Sequence, residues 1–137
     1  MNAKRWLLAS LAAFAAVFVL EFVIHHQWLG SFYHAHAEWW RPEAEMKGLM
    51  PFMLLAQLSF AALLALVYAT GYERGKGGLG QGIRFGLLLG LLLSLPMQLL
   101  NHVIYPYPPS LLVSWFIGGM VETVLAGLAI GVVYREE

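Results

Sequence analysis

Apolar residues gather into four long runs, at positions 6–24, 49–68, 85–105 and 111–134, separated by shorter polar or broken stretches. Each run approaches the ~20 residues that a helix needs to cross a hydrocarbon core. Gly71-Tyr72-Glu73-Arg74-Gly75-Lys76-Gly77-Gly78 between the second and third is a glycine-rich connection. Tyr105-Pro106-Tyr107-Pro108-Pro109 between the third and fourth cannot be helical and predicts a tight turn. Pro51 falls in the first turn of the second run, where its missing N–H is harmless. The pattern predicts an all-α, polytopic membrane protein: a single domain over residues 1–137 that forms an antiparallel four-transmembrane-helix bundle.

The stretch 25–47 between the first two runs carries a second pattern. Trp28, Leu29, Phe32, Tyr33, His36, Trp39 and Trp40 recur at helical spacing. They predict an interfacial amphipathic helix over about 28–40, lying along the membrane surface as a lid on the outer end. An ordinary aromatic belt would show the same composition. Small residues recur every four positions at Gly82, Gly86 and Gly90, at Gly119, Thr123, Gly127 and Gly131, and at Ala61, Ala65 and Ala69. In lipid such spacing lets helix backbones approach closely, and four helices can use these faces on one another. A homo-oligomer seam is the alternative use.

Composition agrees with lipid as the solvent. The 137 residues are 60% hydrophobic and 12% charged, with a mean hydropathy of +0.68; a soluble domain carries roughly a quarter charged residues. Formal net charge is zero, so nothing argues for nucleic acid as a partner. The absence of cysteine excludes disulfides and thiolate chemistry. Lys4, Arg5, Arg74, Lys76, Arg84 and Arg135 fall on one side of the predicted spans, and only Arg41 and Lys47 on the other. The positive-inside rule then puts both termini in the cytoplasm, and the plain layout suggests a bacterial inner membrane. Lys4-Arg5 before an apolar run could open a signal peptide. The run is long for that, and the small pair around His36 lies far past its end, so a retained helix is expected.

Ionisable groups among apolar helices are costly, and are therefore functional candidates. Glu122 stands near the middle of the fourth run between Val121 and Thr123, and Glu21 near the outer end of the first. A lone ionised carboxylate there is implausible; it is neutral, or paired with a proton, cation or metal. Glu21 and His25 are four apart and share a helix face, as do Gln98 and His102, with Asn101 beside them; Gln57 lies at similar depth on the second run. Glu21, Gln57, Gln98, Asn101, His102 and Glu122 are thus the candidate ligand- or proton-binding residues of one outward-facing polar pocket. His25, His102, Glu21 and Glu122 could together hold a divalent metal such as zinc or iron, and His25 with His102 could ligate haem. Interhelical hydrogen bonding alone would also account for Gln57, Gln98 and Asn101. No H-E-x-x-H, P-loop, nucleophile elbow or dinucleotide fingerprint occurs, so the reading leans away from an enzyme.

The ending Glu21…His25-His26-Gln27-Trp28-Leu29-Gly30…Phe32-Tyr33, with the run Gly82…Gly86…Gly90…Leu95-Pro96…Asn101, resembles small four-helix bacterial inner-membrane families of unknown function. The resemblance spans most of the chain and carries over no site residue. The expected function is a binding or transport-type membrane protein built on the polar pocket, for a cation, proton or small ligand. The alternative is a structural or accessory subunit of a larger membrane complex, haem- or pigment-associated. In either case the lipid bilayer is its immediate partner.

Overall fold

The computed structural model describes residues 1–135, and these contain helices and turns but no strand. Four helical spans are long and apolar enough to cross a membrane: Ala3–Trp28, Met50–Thr70, Gly78–Ile104 and Pro109–Val133. The first is composite. Helix α1, Ala3–Glu21, opens on Asn2, whose side chain accepts a hydrogen bond from the Arg5 N–H (3.0 Å). It continues as π-helical turns over Phe22–Trp28, with Leu29 N–H donating to the Ile24 carbonyl at 2.9 Å. Two short helices follow, α2 (Gly30–Ala35) and α3 (Glu43–Gly48), with a 3-10 turn at Ala37–Trp39 between them. The long helices are α4 (Met50–Thr70), α5 (Gly78–Ile104) and α6 (Pro109–Val133). Pro51 and Pro109 occupy the first turns of α4 and α6. Pro96 sits inside α5, which runs on past it to Ile104.

Two expectations from the sequence change here. The segment 28–40 is not one helix. It breaks at His36, where φ −124° and ψ 40° leave the helical region, so its aromatics form a folded cluster rather than a straight stripe. Phe32 stacks on His36 at 4.3 Å between centroids, and Trp40 stacks on Tyr107 at 5.8 Å. Helix α5 also begins at Gly78 rather than near 85. The extra turns are glycine-rich and polar, so hydropathy does not mark them, but they are held against α6.

That contact is backbone on backbone. A Cβ placed on Gly78 would strike the backbone of Gly131, one on Gly82 that of Gly127, and one on Gly86 that of Thr123. Residue numbers rise along α5 as they fall along α6, so the two helices are antiparallel. At each crossing the hydrogen of glycine is what lets one backbone lie on the other. Helix α1 packs on both α4 and α6, while α4 makes only a slight contact with α6. Alanines do the work of glycine there: Ala9 and Ala13 of α1, Ala61 and Ala65 of α4 and Ala126 of α6 are fully buried in one cluster. The Trp6 indole N–H ties α1 to α4 by donating to the Ala62 carbonyl at 3.1 Å. Tyr68 meets Phe85 edge-on at 5.3 Å, and Tyr72 and Tyr134 close the same end.

The loop at that end is clamped from inside. Gln81 is buried; its side-chain oxygen accepts from the Glu73 N–H (2.9 Å), and its amide donates to the carbonyls of Glu73 and Lys76 (3.0 Å each). Gly75 takes the turn's left-handed position, φ 81°. The Glu73 carboxylate receives both Lys76 and Arg84. Those two partners hold its pKa below the usual 4.5.

Gly82→Ala is expected to destabilise by roughly 1–3 kcal/mol, the cost of forcing an extra methyl into a packed contact. Gly80→Ala, where nothing lies within 4 Å, should instead gain up to about 1 kcal/mol through helix propensity. Thermal unfolding in detergent micelles reads both, and equal effects would remove the seam's importance.

A depressed carboxylate pKa contributes stability that is present above the unfolded value and lost as pH falls through the folded one. Protection factors of the loop 72–77 amides, taken relative to intrinsic exchange at each pH, should therefore fall on acidification below pH 4.5, and Glu73→Gln should show the lowered protection already at neutral pH. Protection unaffected by either change would mean that Gln81 alone holds the loop.

Candidate functional site

Of the predicted site residues, Glu21, Gln98 and Glu122, with His25, border one cavity of about 230 Å³ between α1, α5 and α6. The sequence builds it by omission. Gly118 has no side chain, so Ile24 of the π-helical turn packs onto α6, where a Cβ would meet its Cγ2 at 3.0 Å. Gly119 likewise receives Ser94 of α5. One helical turn beyond this glycine pair Glu122 reaches into the opening, and its carboxyl engages that of Glu21. Ser94 and Gln98 complete the polar lining from α5. The remaining walls, including Leu93 and Ile24, are apolar.

A chain of polar contacts runs from Glu21 to α2. His25 Nε2 lies 3.6 Å from Glu21 Oε2. On the far side of the ring, His25 Nδ1 lies 2.7 Å from the Tyr33 hydroxyl, and the Trp115 indole N–H donates to that same hydroxyl at 2.8 Å. Burial pushes the Tyr33 phenol above its usual 10.0; the Trp115 hydrogen bond opposes this and the Glu21 charge adds to it. The phenol therefore keeps its hydrogen at neutral pH. The Tyr33 oxygen accepts from Trp115, so its O–H donates to Nδ1, which leaves the imidazole hydrogen on Nε2, facing Glu21.

His25 and Trp115 also border a second cavity of about 560 Å³, lined from α2 and α3. Tyr33, Trp40 and Met46 contribute apolar wall there, and His26 and His34 its polar edge. The charged rim residues Arg41 and Glu43 are paired with α3 neighbours, Arg41 with Glu45 (3.1 Å) and Glu43 with Lys47 (3.4 Å).

Three predicted residues lie elsewhere. His102 is exposed on α5 and borders neither cavity, so the ligand set His25, His102, Glu21 and Glu122 is not assembled, nor are His25 and His102 set around a common space for haem. Among the described residues no group of three or more His, Asp or Glu side chains is arranged to hold a metal ion. Asn101 donates to Gln98 Oε1 at 3.2 Å, outside the cavity lining. Gln57 is on α4, which packs on α1 and has no seam with α5, and its side-chain oxygen is buried with no hydrogen-bond partner among the described residues.

Sequence reasoning passed over Tyr33 and Trp115 as site residues, reading the first as part of an aromatic belt. A tryptophan N–H within an apolar run needs an acceptor when buried, and that was the available signal. No family model matches the chain, and searches of curated proteins and of solved structures return no match.

Gln57 is separate from the site and carries an unpaired oxygen. Gln57→Leu should leave thermal stability unchanged or raise it by about 1 kcal/mol, since a desolvated acceptor is removed at nearly constant volume. A loss of several kcal/mol would show that the amide serves a partner.

Proposed function

We propose that this chain is an integral membrane protein of the binding or transport type, whose Glu21–Glu122 pair binds a proton, or a cation in its place. The observation that carries the reading is the meeting of two carboxyl groups, from α1 and α6, in one small cavity between apolar helices. Two bare carboxylates in contact at low dielectric repel strongly, so the pair holds one proton, or a positive ion, between them. A site intended only to join helices would not need two acids.

The four apolar spans form an antiparallel bundle across a bacterial inner membrane, with both termini in the cytoplasm. In support, the ends of α1 and α6 and the α4–α5 loop lie together: Asn2 N–H donates to the Tyr134 hydroxyl at 3.4 Å, and Tyr72 and Tyr134 are in ring contact. Six of the eight Lys and Arg residues belong to that end. Under the positive-inside rule it is the cytoplasmic end, and the carboxyl pair then opens outward.

Potentiometric titration of the purified protein tests the site. Wild type should bind about one proton more per chain near neutral pH than Glu122→Gln, because the amide keeps the shape and one hydrogen bond but cannot be protonated. Sodium, calcium or zinc displacing that proton would identify a cation site; no displacement identifies a proton site. Identical titration curves for wild type and a folded Glu122→Gln would refute the reading.

A further inference from the structure

We infer that His25 and Tyr33 form the proton path between the outer aromatic cavity and the Glu21–Glu122 pair. The inference rests on the proposed proton-binding role of that pair and adds a route to it. Both cavities share His25 and Trp115 as wall, so these side chains stand between them. Across that partition the contacts are consecutive: Trp115 to Tyr33 at 2.8 Å, Tyr33 to His25 Nδ1 at 2.7 Å, His25 Nε2 to Glu21 at 3.6 Å, then Glu21 to Glu122. The last gap to Glu21 needs only a small side-chain rotation to become a hydrogen bond.

The backbone supports the same assignment. His25 lies within the π-helical turns Phe22–Trp28, a wide-turn geometry that is rare and recurs at functional sites. Neutral imidazole is the one side chain that accepts a proton on one edge while releasing one from the other near neutral pH. The groups around His25 fit this use. Glu21 faces it from its own helix and Tyr33 from α2. Glu122 of α6 stands behind Glu21. Helix α5 offers only the uncharged Ser94 and Gln98. His26, His34, Arg41 and Glu43 border the outer cavity at a remove.

Uptake transfers one proton from hydronium or a buffer acid in the outer cavity to the His25–Tyr33 pair, while the Nε2 hydrogen passes to Glu21 Oε2. The Glu21 carboxylate becomes a carboxylic acid, and the imidazole is left as its Nδ1–H tautomer. Release runs through the same atoms in reverse. Trp115 transfers no proton; its N–H fixes the orientation of the Tyr33 hydroxyl and makes it a positioning residue.

The test is the rate at which the glutamate pair protonates after a pH jump, read from the carboxylic acid C=O stretch of the full-length protein in liposomes. His25→Ala and Tyr33→Phe should slow the change by roughly tenfold or more with its amplitude unchanged, a factor within the range for a positioned acid–base group. Added imidazole should restore the rate in His25→Ala, which a merely structural histidine would not allow. His102→Phe, at an exposed position outside both cavities, should match wild type. If His25→Ala misfolds, Tyr33→Phe carries the test, since it removes one oxygen and keeps the ring. Wild-type rates in a folded Tyr33→Phe or His25→Ala variant would overturn the path and leave the carboxyl pair standing. Absence of any titrating carboxylic acid band in wild type would overturn both.

Discussion

A carboxylate among apolar helices must be answered by something, and the neighbourhood of Glu122 is arranged around that requirement. Losing water costs an unpaired charge several kcal/mol even after relaxation, more than any helix contact nearby returns. The proposed answer is a proton or cation held together with a second acid, Glu21, on a different helix, and α1 and α6 come close at this depth. They can do so because Gly118 admits Ile24. The gap that remains between α1, α5 and α6 is the cavity in which the two acids meet. Cavity and close packing thus share one cause, the small residues of α6.

The same helix is the hub of the structure. It lies on α5 along one face through Gly127 and Gly131, and on α1 along another through Ala126. In lipid, where burial of apolar surface gives helices no reason to associate, backbone proximity and its dispersion energy are the principal attraction. Polar contacts then collect at the two ends: the Gln81–Glu73 clamp at one, and the His25–Tyr33–Trp115 chain at the other. The cavity holding the carboxyl pair lies between these ends, where Ser94, Gln98 and His25 are its polar neighbours.

Much of this was legible in the chain. Four runs of apolar residues became four long helices, because length and hydropathy are strong signals where the solvent is lipid. The four-residue repeats of glycine and alanine reappear as helix contacts, since their spacing fixes them on one face. The cost of burial marked Glu21 and Glu122, and position along the helices added Gln98 to them. What the chain concealed depends on backbone detail. The π-helical turns at Phe22–Trp28 have no composition cue, and the break at His36 falls inside a run whose spacing is helical. Tyr33 meets His25 across the junction between those π turns and α2, so part of the expected membrane belt lines the site. Gln57 and His102 went elsewhere because depth in a helix says nothing about the direction a side chain faces.

The central claim is that Glu21 and Glu122 share one positive charge in a common cavity. Solid-state NMR of the protein in lipid bilayers, with the glutamate side-chain carboxyl carbons labelled, addresses it directly. The account predicts one protonated and one ionised glutamate at neutral pH in the absence of metal ions, joined by a through-space carboxyl–carboxyl correlation. Two ionised glutamates without such a correlation, under those conditions, would contradict it.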